Sequence, residues 1–89
     1  MESIKITVTG RVQHVGFRWS VASLAQRLNI KGFVKNLPNG DVYIEAEGPT
    51  SMIAEFTKRV QNGPTPLASV EYVDVVNQPL QSFIDFQIR

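Results

Sequence analysis

The sequence predicts an α+β fold in which two helices lie on one face of an antiparallel sheet, in the order βαββαβ with a further short terminal strand. Three observations carry this. Apolar residues alternate with polar ones in separate short stretches, two intervening stretches place them at helical spacing, and Gly, Pro and Asn punctuate the junctions. Two split β-α-β units with right-handed crossovers put both helices on the same face, which is the ferredoxin-like sandwich.

In the first strand Ile4, Ile6 and Val8 alternate with Lys5, Thr7 and Thr9, ending at Gly10. A loop from Arg11 to Gly16 follows. Phe17, Val21, Leu24, Ala25 and Leu28 then form one helical stripe, with Arg18, Ser23, Gln26 and Arg27 off it. Asn29 is suited to end that helix, since Asn tolerates the left-handed region. Gly32 to Asn36 reads as the second strand, and Pro38-Asn39-Gly40 as a turn whose Gly supplies a positive φ. Val42, Ile44 and Ala46 alternate with Tyr43, Glu45 and Glu47 in the third strand. Pro49-Thr50-Ser51 opens a second helix carrying Ile53, Phe56 and Val60, and Asn62-Gly63-Pro64 stops it. Val70, Tyr72 and Asp74 against Glu71, Val73 and Val75 suggest a fourth strand, and Phe83 to Ile88 a short last one.

Eighty-nine residues are expected to make one domain, 1–89, without room for a second core. No cysteine is present, which excludes disulfides, thiolate metal sites and a cysteine nucleophile. One histidine, His14, excludes a His-rich metal cluster. Lys and Arg number 9 against 8 Asp and Glu, so there is no basic excess of the kind nucleic-acid binders gather into a patch. Met1 to Lys5 lacks the charged start and apolar run of a signal peptide, and no apolar stretch approaches the length of a membrane span. The expectation is a cytoplasmic monomer with no membrane or nucleic-acid partner.

Topology places the candidate site. With strands one and two both running up and the first helix returning down, the ends of both strands share one sheet edge. That edge carries the Arg11–Arg18 loop, the first helix's start and Asn36. A Gly-containing loop feeding a helix N-terminus is an anion cradle, because free backbone N–H groups converge there with the positive end of the helix dipole. Arg18, in the first turn, carries a planar guanidinium able to meet two phosphate oxygens at once.

The stretch Gly10-Arg11-Val12-Gln13-His14-Val15-Gly16-Phe17-Arg18 resembles the first acylphosphatase signature, G-[RK]-V-Q-G-V-x-[FY]-R. Gly32-Phe33-Val34-Lys35-Asn36-Leu37-Pro38-Asn39-Gly40-Asp41-Val42, running on to Gly48, resembles the second, G-[FYW]-[AV]-x-N-x3-G-x-V-x5-G. The resemblance covers the chain and implies a stand-alone member of that family rather than a domain of a larger maturation factor. It implies that Arg18 and Asn36 are the catalytic residues: Arg18 grips the phosphoryl group and Asn36 positions the attacking water. It also implies that His14, Val15, Gly16, Phe17, Arg18 and Trp19 bind substrate, the amides from about Val15 to Trp19 contributing to the grip. No metal and no organic cofactor is implied. The implied substrate is a small acyl phosphate, with inorganic phosphate as product and competitive inhibitor. Two positions depart from the pattern: His14 stands where the family usually has Gly, and Val21 where Thr is frequent.

Few groups suffice for this reaction. The leaving carboxylate has a conjugate-acid pKa of about 4–5, as a Glu side chain does, and departs without a proton donor. The transition state is loose, so positioning and charge stabilisation supply most of the acceleration. The competing class is an RNA-recognition motif, which shares the βαββαβ order, and Lys31-Gly32-Phe33 begins like its signature. The match then stops, with Lys35 where a second aromatic belongs and the segment on strand two instead of strand three. His14 reads as an exposed loop residue, Trp19 and Tyr43 as rim or core aromatics, and Glu45 and Glu47 as a polar strand face.

Overall fold

The structure, a computed structural model, describes residues 1–89. The alternating and helical stretches become β1 (Glu2–Arg11), α1 (Phe17–Arg27), β2 (Lys31–Asn36), β3 (Val42–Gly48), α2 (Thr50–Gln61), β4 (Ser69–Gln78) and β5 (Phe86–Ile88). The sheet order is β4-β1-β3-β2-β5. β1 pairs antiparallel with β3 and β4, and β2 antiparallel with β3, which is the ferredoxin-like arrangement. β5 adds parallel to β2, so the five-stranded sheet as a whole is mixed.

Alternation puts Ile4, Ile6 and Val8 of β1 beside Val42, Ile44 and Ala46 of β3 on the face that the helices cover. Phe17, Val21, Leu24 and Ala25 of α1 and Ile53, Phe56 and Val60 of α2 close this core, every one of them buried. Each large side chain removed from water there stabilises the fold by about 1.5–3 kcal/mol. Val21, at the position that departs from the frequent Thr, is fully buried and packs in this core.

α1 ends in paired bonds: the Asn29 N–H donates to the Gln26 carbonyl and the Ile30 N–H to the Ala25 carbonyl. Asn29, at φ 56, takes the left-handed position just beyond the cap at Leu28. The β2–β3 turn closes through the Gly40 N–H to the Leu37 carbonyl and the Leu37 N–H to the Asp41 carbonyl.

Three sequence expectations are corrected. β4 does not keep one alternation. Its register against β1 shifts between Thr9 and Gly10, where Thr9 pairs Tyr72 but Gly10 pairs Val70. This bulge puts Val70 and Val73, three apart, together against the core. The last strand begins at Phe86 rather than Phe83, because residues 79–85 must first cross the sheet from the β4 edge to the β2 edge. They cross on the face away from the helices, where Phe83 packs on Phe33 with ring centroids 6.0 Å apart. Glu47, expected on an open polar face, is 4 % exposed under this segment and accepts the Gln81 N–H at 2.6 Å. The crossing also covers Phe33, with the Arg89 guanidinium 4.1 Å above its ring. The aromatic that an RNA-binding reading would use for stacking is therefore spent on packing.

Candidate functional site

β1 delivers the chain at Arg11 into a tight loop before α1 begins at Phe17. Two left-handed residues shape it, His14 at φ 63 and Gly16 at φ 78. Alternating hand turns successive N–H groups to one side, which makes a nest for an anion. Glycine suits position 16 for its backbone angle, and a Cβ there would meet nothing within 4 Å. His14 adopts its left-handed angle in a region open to His at modest cost. Gly16 is also the N-cap of α1 and brings no side-chain cap, so the first-turn amides stay free. No amide from Gln13 to Trp19 donates to any protein acceptor, and the first that does is Ser20, to the Gly16 carbonyl at 3.0 Å.

Arg18 leaves the first turn half-buried, and its Nη1 donates to the main-chain oxygen of Arg89 at 3.2 Å. That contact uses one of five guanidinium N–H groups and leaves the others for a ligand. Arg89 itself is fixed, because its N–H donates to the Val34 carbonyl at 2.8 Å. Since Val34 pairs with Ile88, Arg89 falls beside Lys35, one position before Asn36. The parallel β5 thus carries Arg18's anchor to the corner where β2 ends.

Asn36 is the last residue of β2, opposite Val42. Its Oδ1 is buried and accepts no hydrogen bond from the protein. An unpartnered buried acceptor is uncommon, and it is suited to receive an O–H from solvent. The loop and this strand end are joined by Gln13, whose Nε2 donates to the carbonyls of Leu37 and Asp41, each at 2.8 Å. Gln13 was not singled out from the sequence as a site residue. It lies inside the first signature, but its partners, 24 and 28 residues away, have no local sign.

A cavity of about 210 Å³ opens at the loop, lined by Val12, His14, Gly16, Phe17, Arg18, Trp19 and Ile88. Five of the six expected substrate-binding residues are among them. Val15 is not: it is half-buried and packed against the core, which leaves its amide as its only unpaired donor at the loop. Asn36 also lies outside these walls, at the flank that Gln13 ties to the loop. Trp19 is a ridge rather than a core residue, with 70 % of its surface exposed. Tyr43 lies away from this corner: its hydroxyl donates to Glu45 Oε2 at 2.6 Å on the opposite sheet face.

Comparison with known proteins gives one consistent picture. The family model described as Acylphosphatase matches residues 4–88. A protein of Archaeoglobus fulgidus named acylphosphatase is 42% identical over 88 residues, covering 99% of this chain and 98% of that protein. The crystal structure of acylphosphatase from Bacillus subtilis superposes with a TM-score of 0.96 at 38% identity, over 100% of this chain and 99% of that one. An acylphosphatase structure from Coxiella burnetii gives 0.94, also at 38% identity, over 99% and 92% of the two chains.

Proposed function

The chain belongs to the acylphosphatase family, and on that premise we infer that it hydrolyses acyl phosphates, the mixed anhydrides of a carboxylic acid and phosphate, to carboxylate and inorganic phosphate. One observation carries the placement of the reaction: the unpartnered amides from Gln13 to Trp19, with the Arg18 guanidinium beside them. These donors surround a tetrahedral anion and oppose the negative charge that spreads over the phosphoryl oxygens in the transition state. A prearranged cradle does so without reorganising as the reaction proceeds. Asn36 Oδ1 accepts one O–H of a water and so directs its lone pair toward phosphorus. The P–O bond to the acyl oxygen breaks, the carboxylate leaves with the electron pair, and the water's proton passes to a phosphate oxygen. No step in this scheme uses a metal or an organic cofactor.

Release of phosphate from benzoyl phosphate by the purified chain, with a chelator present, tests the whole reading. Activity should persist, and inorganic phosphate should compete with substrate. Arg18→Ala should abolish binding of both phosphate and substrate. Asn36→Ala should bind phosphate as before while turnover falls about a hundredfold or more. Near-normal rates in both variants would refute the assignment. A rate that stays nearly level from pH 5 to 8 belongs to the same scheme, because it contains no enzyme general base.

No helix is long and apolar enough to cross a membrane. The remaining part of the proposal is that the chain works as a cytoplasmic, single-domain monomer without nucleic-acid partners. Sedimentation should then give a mass near the 9.9 kDa of one chain.

A further inference from the structure

A second and larger cavity lies beside the anion cradle, a cleft of about 390 Å³ between α1 and the end of α2. Trp19, Ser20, Ser23 and Arg27 line it from α1, and Arg59 and Asn62 from the end of α2. Trp19 belongs to both cavities, so its indole is the ridge between them. The topology explains the adjacency. β3 runs antiparallel to β1, so the helix after it returns to the edge where α1 begins.

The chemistry of the cleft is one-sided. Two guanidinium groups, two hydroxyls and a carboxamide face it, and none of its nine lining residues is acidic. Arg59 has one carboxylate neighbour, Glu55 at 3.8 Å on the same helix, the arginine exposed and the glutamate partly so. Such a solvent-screened i,i+4 pair holds its cation only weakly. Arg27 has no salt-bridge partner. Eight positions of helix, about 12 Å, separate its backbone from that of Trp19. Helical side chains lean toward the N-terminus, which brings the Arg27 guanidinium back over Ser23 toward the indole.

We propose that this cleft is the acyl subsite, and that it favours acyl phosphates whose acyl group carries a second anionic group, carboxylate or phosphate, at its far end. The proposal rests on the cradle being the phosphoryl site. With the phosphoryl group there, an acyl chain that passes over Trp19 enters the cleft. A far anion then meets Arg27 and Arg59, while Ser20, Ser23 and Asn62 donate to its remaining lone pairs. An acetyl group is too short to reach them and leaves the cleft to water. The bond changes are those already described, with a dicarboxylate or phosphocarboxylate as the leaving product.

Benzoyl phosphate and 4-carboxybenzoyl phosphate differ only in the far carboxylate, and the para geometry stops that group from attacking its own anhydride. The ratio of their kcat/KM values should favour the carboxylated substrate by about tenfold, as charge-assisted hydrogen bonds allow, and should shrink as salt is added. Arg27→Gln and Arg59→Gln should each reduce the ratio several-fold, and the double variant should bring it near one. Arg27→Lys, which keeps the charge, should retain part of it. A ratio of one or less in the parent protein overturns the proposal, as does a ratio untouched in the double variant. Failure to hydrolyse benzoyl phosphate at all would overturn the reading of the cradle instead.

Discussion

Gln13 donates both hydrogens of its carboxamide to carbonyls of the β2–β3 turn, and in doing so sets the distance between the anion loop and Asn36. Removing it takes away two hydrogen bonds, although each carbonyl keeps a backbone donor, the Gly40 N–H at Leu37 and the Leu37 N–H at Asp41. Gln13→Ala should therefore lower stability by about 2 kcal/mol and reduce kcat more than phosphate affinity, since the cradle's own amides remain. An unchanged kcat would show that the clamp does not position Asn36. Tyr43 offers a second test at this scale. Burial, then the hydrogen bond to Glu45 and the charge of that carboxylate, push its hydroxyl up to about 12. The unfolded chain releases this proton near pH 10, so between about pH 10 and 12 the folded form holds a proton that the unfolded form has lost. Its contribution is complete below pH 10 and disappears as pH rises through about 12. Thermal melts from pH 9 to 12 should fall more steeply for the parent than for Tyr43→Phe, and parallel curves would remove the effect.

Among the elements, β1 and β4 show why a single backbone position matters. The bulge that shifts their register is built at Gly10, where φ is +135° and a Cβ would lie 2.2 Å from the Ser69 carbonyl oxygen and 2.8 Å from the Glu71 nitrogen. Both obstructing atoms are backbone and cannot swing aside. Gly10→Ala should destabilise the fold by about 3 kcal/mol, combining strain with overpacking, measurable as a shift in denaturant midpoint. A midpoint within error of the parent would mean that the two strands can re-register. The bulge lies next to the end of β1, one position before Arg11, which still pairs with Ser69 before the chain enters the loop. α1 is organised by its ends. Free amides at its start form the proposed anion cradle, while the Asn29 and Ile30 bonds at its finish seal the other end against the core.

Over the whole molecule, residues 79–85 link the far edge of the sheet to the active corner. Glu47 holds the segment through the Gln81 N–H, the Gly32 N–H donates to the Asp85 carbonyl, and β5 then runs up beside β2 to the Arg89 main-chain oxygen that accepts from Arg18. Glu47→Ala should loosen this path. The amides of Gln81 and Gly32 should exchange faster with solvent, and phosphate should bind a few-fold more weakly although Glu47 lies at the opposite end of β3. Faster exchange with unchanged phosphate affinity would show that Arg18 does not depend on the crossing.

Much of this protein was legible along the chain because the interactions concerned are local. The period of apolar residues marked each element, Asn29 and Gly40 marked ends and turns, and the strand–loop–helix order located the cradle, whose amides are neighbours in sequence. Arg18 and Asn36 stood out through the two signatures, and the topology then placed both at one sheet edge. Contacts between distant residues were set by which strands became neighbours and on which face the chain returned. Gln13 reaching Leu37 and Asp41, Arg18 reaching a main-chain oxygen 71 residues on, and Glu47 buried beneath the returning segment belong to that class. A local pattern carries no record of such partners, since the same Gln or Glu would look alike on an open surface. Chain closure in three dimensions supplied them.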